Sequence, residues 1–330
     1  MGAKEVMETK IDTHCHIVPR GWKKWCEELG WDKPDGMPFI PSWNPESHIE
    51  LMDKLGIERS ILSITSPGTH LKTGDMGLAR QITRETNVEV AEICRQFPDR
   101  FRFFASLPLP DVEGSLEEID HALDLGAAGF ALMTNAEGHY LGDARFDPVF
   151  EKLNARKALV FMHPTQCCSL DSPDAGKPLA QYPTPMMEYF FDTTRAVVNL
   201  LLSGTVIRYE NLTFLVSHCG ATLPPLVERF AAFSTTPFLQ GCERLTSERV
   251  KELFRTRFFF DLAGMPFPDL IHNYLTMSEP CRLVYGSDYP YTPGSMVEVL
   301  GRRMDAGLEQ LFSKEEVRQI YSGNAVSLGL

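Results

Sequence analysis

Five residues able to hold a metal ion or move a proton each close an apolar, strand-like run: His14 and His16 in KIDTHCHIV, His163 in ALVFMHPT, His218 in LTFLVSHCG and Asp288 in CRLVYGSDYP. Side chains two apart along a strand point to the same side, so His14 and His16 can grip one ion together. Three or four convergent imidazole and carboxylate donors suit Zn²⁺ or a similar first-row divalent ion, and they leave a position open for water or substrate. A lone strand histidine is usually a hydrogen-bonded core or surface residue. Five such residues in one register point instead to a metal centre.

Other chemistries are unmarked: there is no Gly-rich phosphate loop, no G-x-S-x-G elbow and no dinucleotide fingerprint. Arg195, in FFDTTRAVVNLLLSG, and Arg229, in ATLPPLVERFAAF, interrupt apolar stretches. Each needs a carboxylate partner, a substrate or solvent, and for Arg195 an internal salt bridge is the default reading. Asp261 closes the run FFFDLAG, where it either supports a metal ligand from behind or meets substrate. His48, His121 and His272 fall on amphipathic helix patterns and read as solvated, while His70 and His139 lie in loops on the reactive face, open to either a substrate or a surface role.

The elements that must position these groups recur with a regular beat. Short β-branched or aromatic runs lie near residues 10–18, 59–65, 101–107, 127–134, 158–164, 212–218, 257–263 and 281–287, with helical patterns such as PESHIELMDKLG and LEEIDHALDLG between them. Gly56 and Gly126 mark helix stops. Eight strand-helix repeats predict a parallel sheet closed into an α/β fold of the (β/α)8 TIM-barrel type, with 330 residues forming one domain. Reactive residues of such barrels sit at the carboxyl ends of strands, and the five fall at the ends of strands one, five, six and eight. The segments near 19–44 and 166–192, rich in Pro and Gly, are expected to be loops over the site.

IDTHCHIVP, FMHP, DTTRAVVNLLLSG, SHCGATLPPLVERF and YGSDYPYTP together resemble the amidohydrolase superfamily, in its branch of metal-dependent non-oxidative decarboxylases such as aminocarboxymuconate-semialdehyde decarboxylase. Within that branch, PDGMPFIPSWNPESHIELM and SITSPG are similar to fungal 6-methylsalicylate decarboxylases. The resemblance implies one divalent ion, Zn²⁺ or Mn²⁺, on His14, His16, His163 and Asp288, with His218 beside it for acid-base work. It also implies a homodimer in which Arg229 reaches the neighbouring site to hold the substrate carboxylate. Where the semialdehyde decarboxylases carry a substrate-binding Arg, this chain has Ile40, which argues against their dicarboxylate substrate.

The expected reaction is decarboxylation of an aromatic hydroxyacid, with His218 or Asp288 delivering a proton to the ring carbon and Tyr291 packing against the ring. A metal-dependent lactone or amide hydrolase would use nearly the same ligands. ALMTNAEGH, at the end of strand four, offers no lysine of the kind many hydrolases of the superfamily modify there. A third reading, a protein retained only for binding, fits poorly with a whole ligand set. A net charge of −12 argues against nucleic-acid or anionic-membrane partners, and no apolar segment reaches transmembrane length. The charged start MGAKEVMETK lacks the apolar core of a signal peptide, so a cytoplasmic location is expected. The eight cysteines have no disulfide or metal spacing and read as free thiols; Cys15, between two ligands, should face away from the metal, and Cys167-Cys168 form a loop pair.

Overall fold

The computed structural model describes residues 8–167, 179 and 181–330, which leaves Cys168 and the opening segment 1–7 outside the described residues. Among the described residues, one parallel sheet carries β1 (Lys10–His16), β2 (Ile57–Ser63), β3 (Phe101–Ser106), β4 (Gly129–Met133), β5 (Leu159–His163), β6 (Thr213–Val216), β7 (Phe258–Asp261) and β8 (Leu283–Val284), in that order. The sheet closes on itself, because Thr13 N–H donates to the Tyr285 carbonyl and Ser287 N–H to the His14 carbonyl, both at 3.0 Å. The architecture is the (β/α)8 barrel expected from the repeat of elements.

The barrel interior is packed. Ile11, Ile61, Phe104, Ala131, Phe161, Leu215 and Phe259 point inward from successive strands, and Ala325 and Leu330 of the chain terminus join them. Arg102, near the start of β3, donates to the Gly329 carbonyl, so the terminus covers the amino end of the barrel. The carboxyl end remains for the site.

Between Asp12 and Cys15 the ladder of β1 slips: Asp12 pairs with Ser60 and Cys15 with Leu62, so β1 spends one extra residue there. Strict alternation from the inward Ile11 would turn His14 and His16 outward. The bulge reverses the phase, bringing the His14 ring to 5.0 Å from the inward Phe161, while Cys15 packs outward with its thiol 3.5 Å from the Ile61 carbonyl.

The helix between β1 and β2, Pro45–Leu55, starts at Asn44, whose side chain accepts from Ser47 N–H, and stops at Gly56 in the left-handed region (φ 69°). Two expectations need correction. The segment 19–44 is not all loop, since Arg20–Glu28 is helical and buries Trp22 and Cys26, one turn apart, against the core; likewise Glu188–Leu202 already belongs to a helix. His48 is not solvated. It is 1% exposed, accepts a hydrogen bond from Trp43 Nε1 at 3.0 Å and packs on Phe101 and Tyr289, because its helix face lies on the barrel wall. No helix among the described residues is long and apolar enough to cross a membrane.

Candidate active site

Strand ends bring the donors to one point. His14 Nε2 and His16 Nε2 lie 3.2 Å apart, and Asp288 Oδ1 is 3.6 Å from the first and 3.2 Å from the second. His163 offers a ring nitrogen within 4.8 Å of those of His14 and His16, and His218 does the same toward His14 and Asp288. Donors bonded to one ion at about 2.1 Å stand roughly 3.0–3.5 Å apart, so this set has the dimensions of a coordination shell.

The far nitrogens of His14, His16 and His163 are tied in a way that fixes which nitrogen faces the centre. His163 Nδ1 lies 2.7 Å from the Pro164 carbonyl and His16 Nδ1 lies 3.3 Å from the Ser63 carbonyl, both acceptors that require the proton on Nδ1. His14 Nδ1 lies 2.9 Å from Asp261 Oδ2, a carboxylate with the same requirement. Three Nε2 lone pairs are thereby turned inward, the condition for metal ligation.

Electrostatics set the four groups apart. Burial, reinforced by neighbouring imidazoles, holds His163 well below the usual histidine range, and burial likewise lowers His16 against the opposing hydrogen bond of Asp288. For His14, burial disfavours the charge, yet the carboxylates of Asp261, Asp288 and Asp12 together outweigh it and the pKa rises. Burial works against ionisation of Asp288, but its contacts with His16, His14 and His218 keep the carboxyl well below the usual range, hence ionised.

His218 differs from the other histidines. Its backbone is left-handed (φ 56°), as are Cys219, Ala221 and Asp288, a concentration of backbone strain typical of functional sites. The ring stacks on Phe190 at 5.7 Å, and its buried Nδ1 has no hydrogen-bond partner among the described residues. Burial, with the neighbouring His14 imidazole adding to it, pushes its pKa down to about 4, which keeps the ring neutral near pH 7.

Asp261 is fully buried. Its Oδ1 accepts from the backbone of His218 and Ala263, both at 3.0 Å, and its Oδ2 meets His14, so it orients those two residues and stands behind the site, away from the mouth. The Tyr291 ring meets His16 edge-on at 5.6 Å, with its hydroxyl buried and without a partner among the described residues. Arg195 sits 3.9 Å from Asp192, and Arg229 lies over the Phe233 ring; both line a surface groove, apart from the donor cluster. His70 pairs with Glu137 at 2.7 Å, and His139 lies 3.8 Å from Asp143.

Several contributors escaped sequence reasoning. Tyr189 packs its ring 5.9 Å from His163 and donates to Asp35 at 2.7 Å. Asp192, in the same helix, accepts from the Thr134 and Tyr140 hydroxyls and from Asn135, which docks that helix on the β4 end and aims Tyr189 and Phe190 at the histidines. Asp12 accepts from Ser287 N–H (3.0 Å) and His14 N–H (3.3 Å), tying the His-x-His strand to the loop that carries Asp288; burial pushes its carboxyl up to about 7. Its place two residues before His14 was a readable signal.

The chain matches the amidohydrolase family model over residues 11–328. It is 34% identical over 318 residues to the decarboxylase macB of Penicillium terrestre, covering 93% of this chain and 92% of that one. It is 33% identical over 324 residues to a 6-methylsalicylic acid decarboxylase of Penicillium expansum, covering 97% and 95%. A crystal structure of an amidohydrolase II protein superposes with a TM-score of 0.83 at 29% identity, covering 97% of this chain and 99% of the other. With a barrel, a ligand set and a family match that each run nearly its whole length, the chain belongs to the amidohydrolase family.

Proposed function

We propose that this protein is a metal-dependent carboxy-lyase that removes CO₂ from an aromatic hydroxyacid, with 6-methylsalicylate and m-cresol as the leading substrate and product, in polyketide secondary metabolism. The observation that carries the reading is His218: an imidazole stacked on Phe190 beside four donors, its Nδ1 without a hydrogen-bond partner among the described residues. The relatives named as decarboxylases supply the reaction class. Met133, at the end of β4, offers no ligand for a second metal, in keeping with a mononuclear site.

His14, His16, His163 and Asp288 would hold the ion, Zn²⁺ or Mn²⁺, which when bound supplies an electrophilic centre for the phenolic and carboxylate oxygens. His218, neutral before substrate arrives, takes the phenolic proton as the ring settles. It then returns that proton to the carboxyl-bearing carbon, whose C–C bond breaks as its electron pair restores the aromatic ring and CO₂ departs. Asp288, once released from the ion and protonated by the phenol in place of His218, is the alternative donor. Product leaves after the phenolic oxygen regains a proton from water, so one proton is consumed per turnover. Phe190, Tyr189 and Tyr291 provide faces and edges against which the ring is oriented.

The active unit in this proposal is a homodimer. The groove between helix Glu188–Leu202 and helix Val227–Ser234 is lined by Val198, Leu226, Phe230 and Phe233 with Arg195 and Arg229, and Leu226 and Phe233 are exposed. Covered by a second copy, it would bury this apolar surface and let Arg229 reach the partner's mouth to hold the substrate carboxylate. Buried free thiols at Cys15, Cys26 and Cys219 suit the cytosol.

A neutral His218 beside the donors would equally serve a hydrolase by taking a proton from water. Metal-replete protein incubated with 6-methylsalicylate, salicylate or 2,6-dihydroxybenzoate separates the readings. Chelator-sensitive CO₂ with m-cresol supports the proposal, whereas no CO₂ from any acid moves the hydrolase forward.

A further inference from the structure

A cavity of about 300 Å³ opens beside the donor cluster, over β3 and β4. It begins next to the metal ligands: Met133, one of its walls, is the ladder partner of His163, so the two side chains stand on the same face of adjacent strands about 5 Å apart. Thr165, two residues beyond His163, lines it as well and bonds Ser66 of the β2 loop at 2.7 Å. Gly68, at φ +76°, packs so closely that a Cβ there would meet Met133 Cγ at 3.2 Å, which fixes that wall.

The lining has a definite chemistry. Trp31, Pro67, Leu107, Leu109, Ala131 and Met133 give an apolar channel. Where the β2 loop meets the hairpin after β4, Glu137 Oε1 accepts from His70 Nε2 and from Gly74 N–H, both at 2.7 Å. Besides His70, Asp35 and Glu137 are the charged residues of the lining, and no Lys or Arg lines the cavity among the described residues. Such a space welcomes hydrocarbon and a terminal hydroxyl and rejects an anion. It also far exceeds a methyl group, which fills about 30 Å³, the share of one water.

We infer that this cavity is a side pocket for the ring substituent ortho to the carboxylate, and that the enzyme takes 6-alkylsalicylates with uncharged chains longer than methyl, a hydroxyl at the chain end meeting the His70–Glu137 pair. The inference rests on the decarboxylase reading, because the metal end must hold the carboxylate for the substituent to point this way.

The test is kcat/KM of the metal-loaded enzyme for 6-methyl-, 6-propyl- and 6-pentylsalicylate and for an analogue whose chain ends in a carboxylate. Each added methylene is expected to raise kcat/KM about fourfold until the channel is full, the transfer gain of a buried CH₂. The carboxylate-ended chain should lose that gain. Leu107→Trp fills the channel from β3, and Ala136→Phe fills it from the rim hairpin in case the first variant misfolds; each should remove the preference for long chains while sparing 6-methylsalicylate. Steeply falling activity with chain length, or a preference untouched by a folded filling variant, overturns the inference while leaving the decarboxylase reading intact. If no acid releases CO₂, that reading falls, and the pocket is judged by calorimetry of 3-methyl-, 3-propyl- and 3-pentylphenol binding. A chain-dependent gain abolished by Ala136→Phe then supports the pocket, and its absence refutes it.

Discussion

Asp261→Asn removes one charge from a fully buried carboxylate and leaves its volume unchanged, so its consequences follow from hydrogen-bond geometry. Asp261 Oδ1 accepts from His218 N–H and Ala263 N–H, and only the oxygen of an asparagine can keep both bonds. The NH₂ must then face His14 Nδ1, which now stands 2.9 Å from a carboxylate oxygen. A donor there forces His14 to accept on Nδ1 and carry its proton on Nε2, the nitrogen turned toward His16 and Asp288, and a protonated Nε2 cannot ligate. Loss of an outer partner of this kind typically weakens metal affinity about 10–100-fold, or ~1.4–2.7 kcal/mol. The expected result is a metal Kd raised by that factor in chelator competition, with native-like circular dichroism and a smaller rise in Tm on metal addition than the parent shows. Activity should recover at high metal concentration. Parent-like metal affinity in folded Asp261→Asn would refute the idea that this carboxylate sets the His14 tautomer.

Further outcomes are open to test. His218→Ala should lower turnover by about 10²–10⁴ with metal content unchanged, and near-normal turnover would remove it from the proton path. Mixing His218→Ala with Arg229→Ala subunits should restore about a quarter of parent activity if random C2 dimers form and Arg229 acts across the interface; no recovery in verified mixed dimers would confine Arg229 to its own subunit. Burial, with the Arg100 charge adding to it, pushes the His48 pKa down to about 3, so the folded state resists a proton that the unfolded chain binds below about 6.5. Stability should therefore fall as pH drops from 6.5 toward 3, by up to ~1.4 kcal/mol per pH unit from this group, and folded His48→Gln should flatten that part of the metal-free denaturation profile.

The barrel was legible because eight apolar runs alternate with helical patterns, and that alternation has few solutions once every apolar face must be buried. His14, His16, His163, His218 and Asp288 were legible for a related reason: polar residues that end strands of a parallel barrel all face one mouth. The buried environment of His48 was not, since its helix pattern alone does not reveal which polar residue finds a partner such as Trp43 at the barrel wall. Helix Arg20–Glu28 was hidden among flanking Pro and Gly, although Trp22 and Cys26 have helical spacing.

The sequence by itself determined the fold class and the identities of the donors, because both follow from local periodicity and from which residues end each run. Tertiary structure alone decided how those donors point. The β1 bulge, visible only in the pairing with β2, turns His14 and His16 inward. Asp261, 247 residues from His14, selects its tautomer, and Asp192 docks the helix that sets Phe190 against His218. Orientation is a property of contacts between distant segments, and those contacts exist only once the chain has closed.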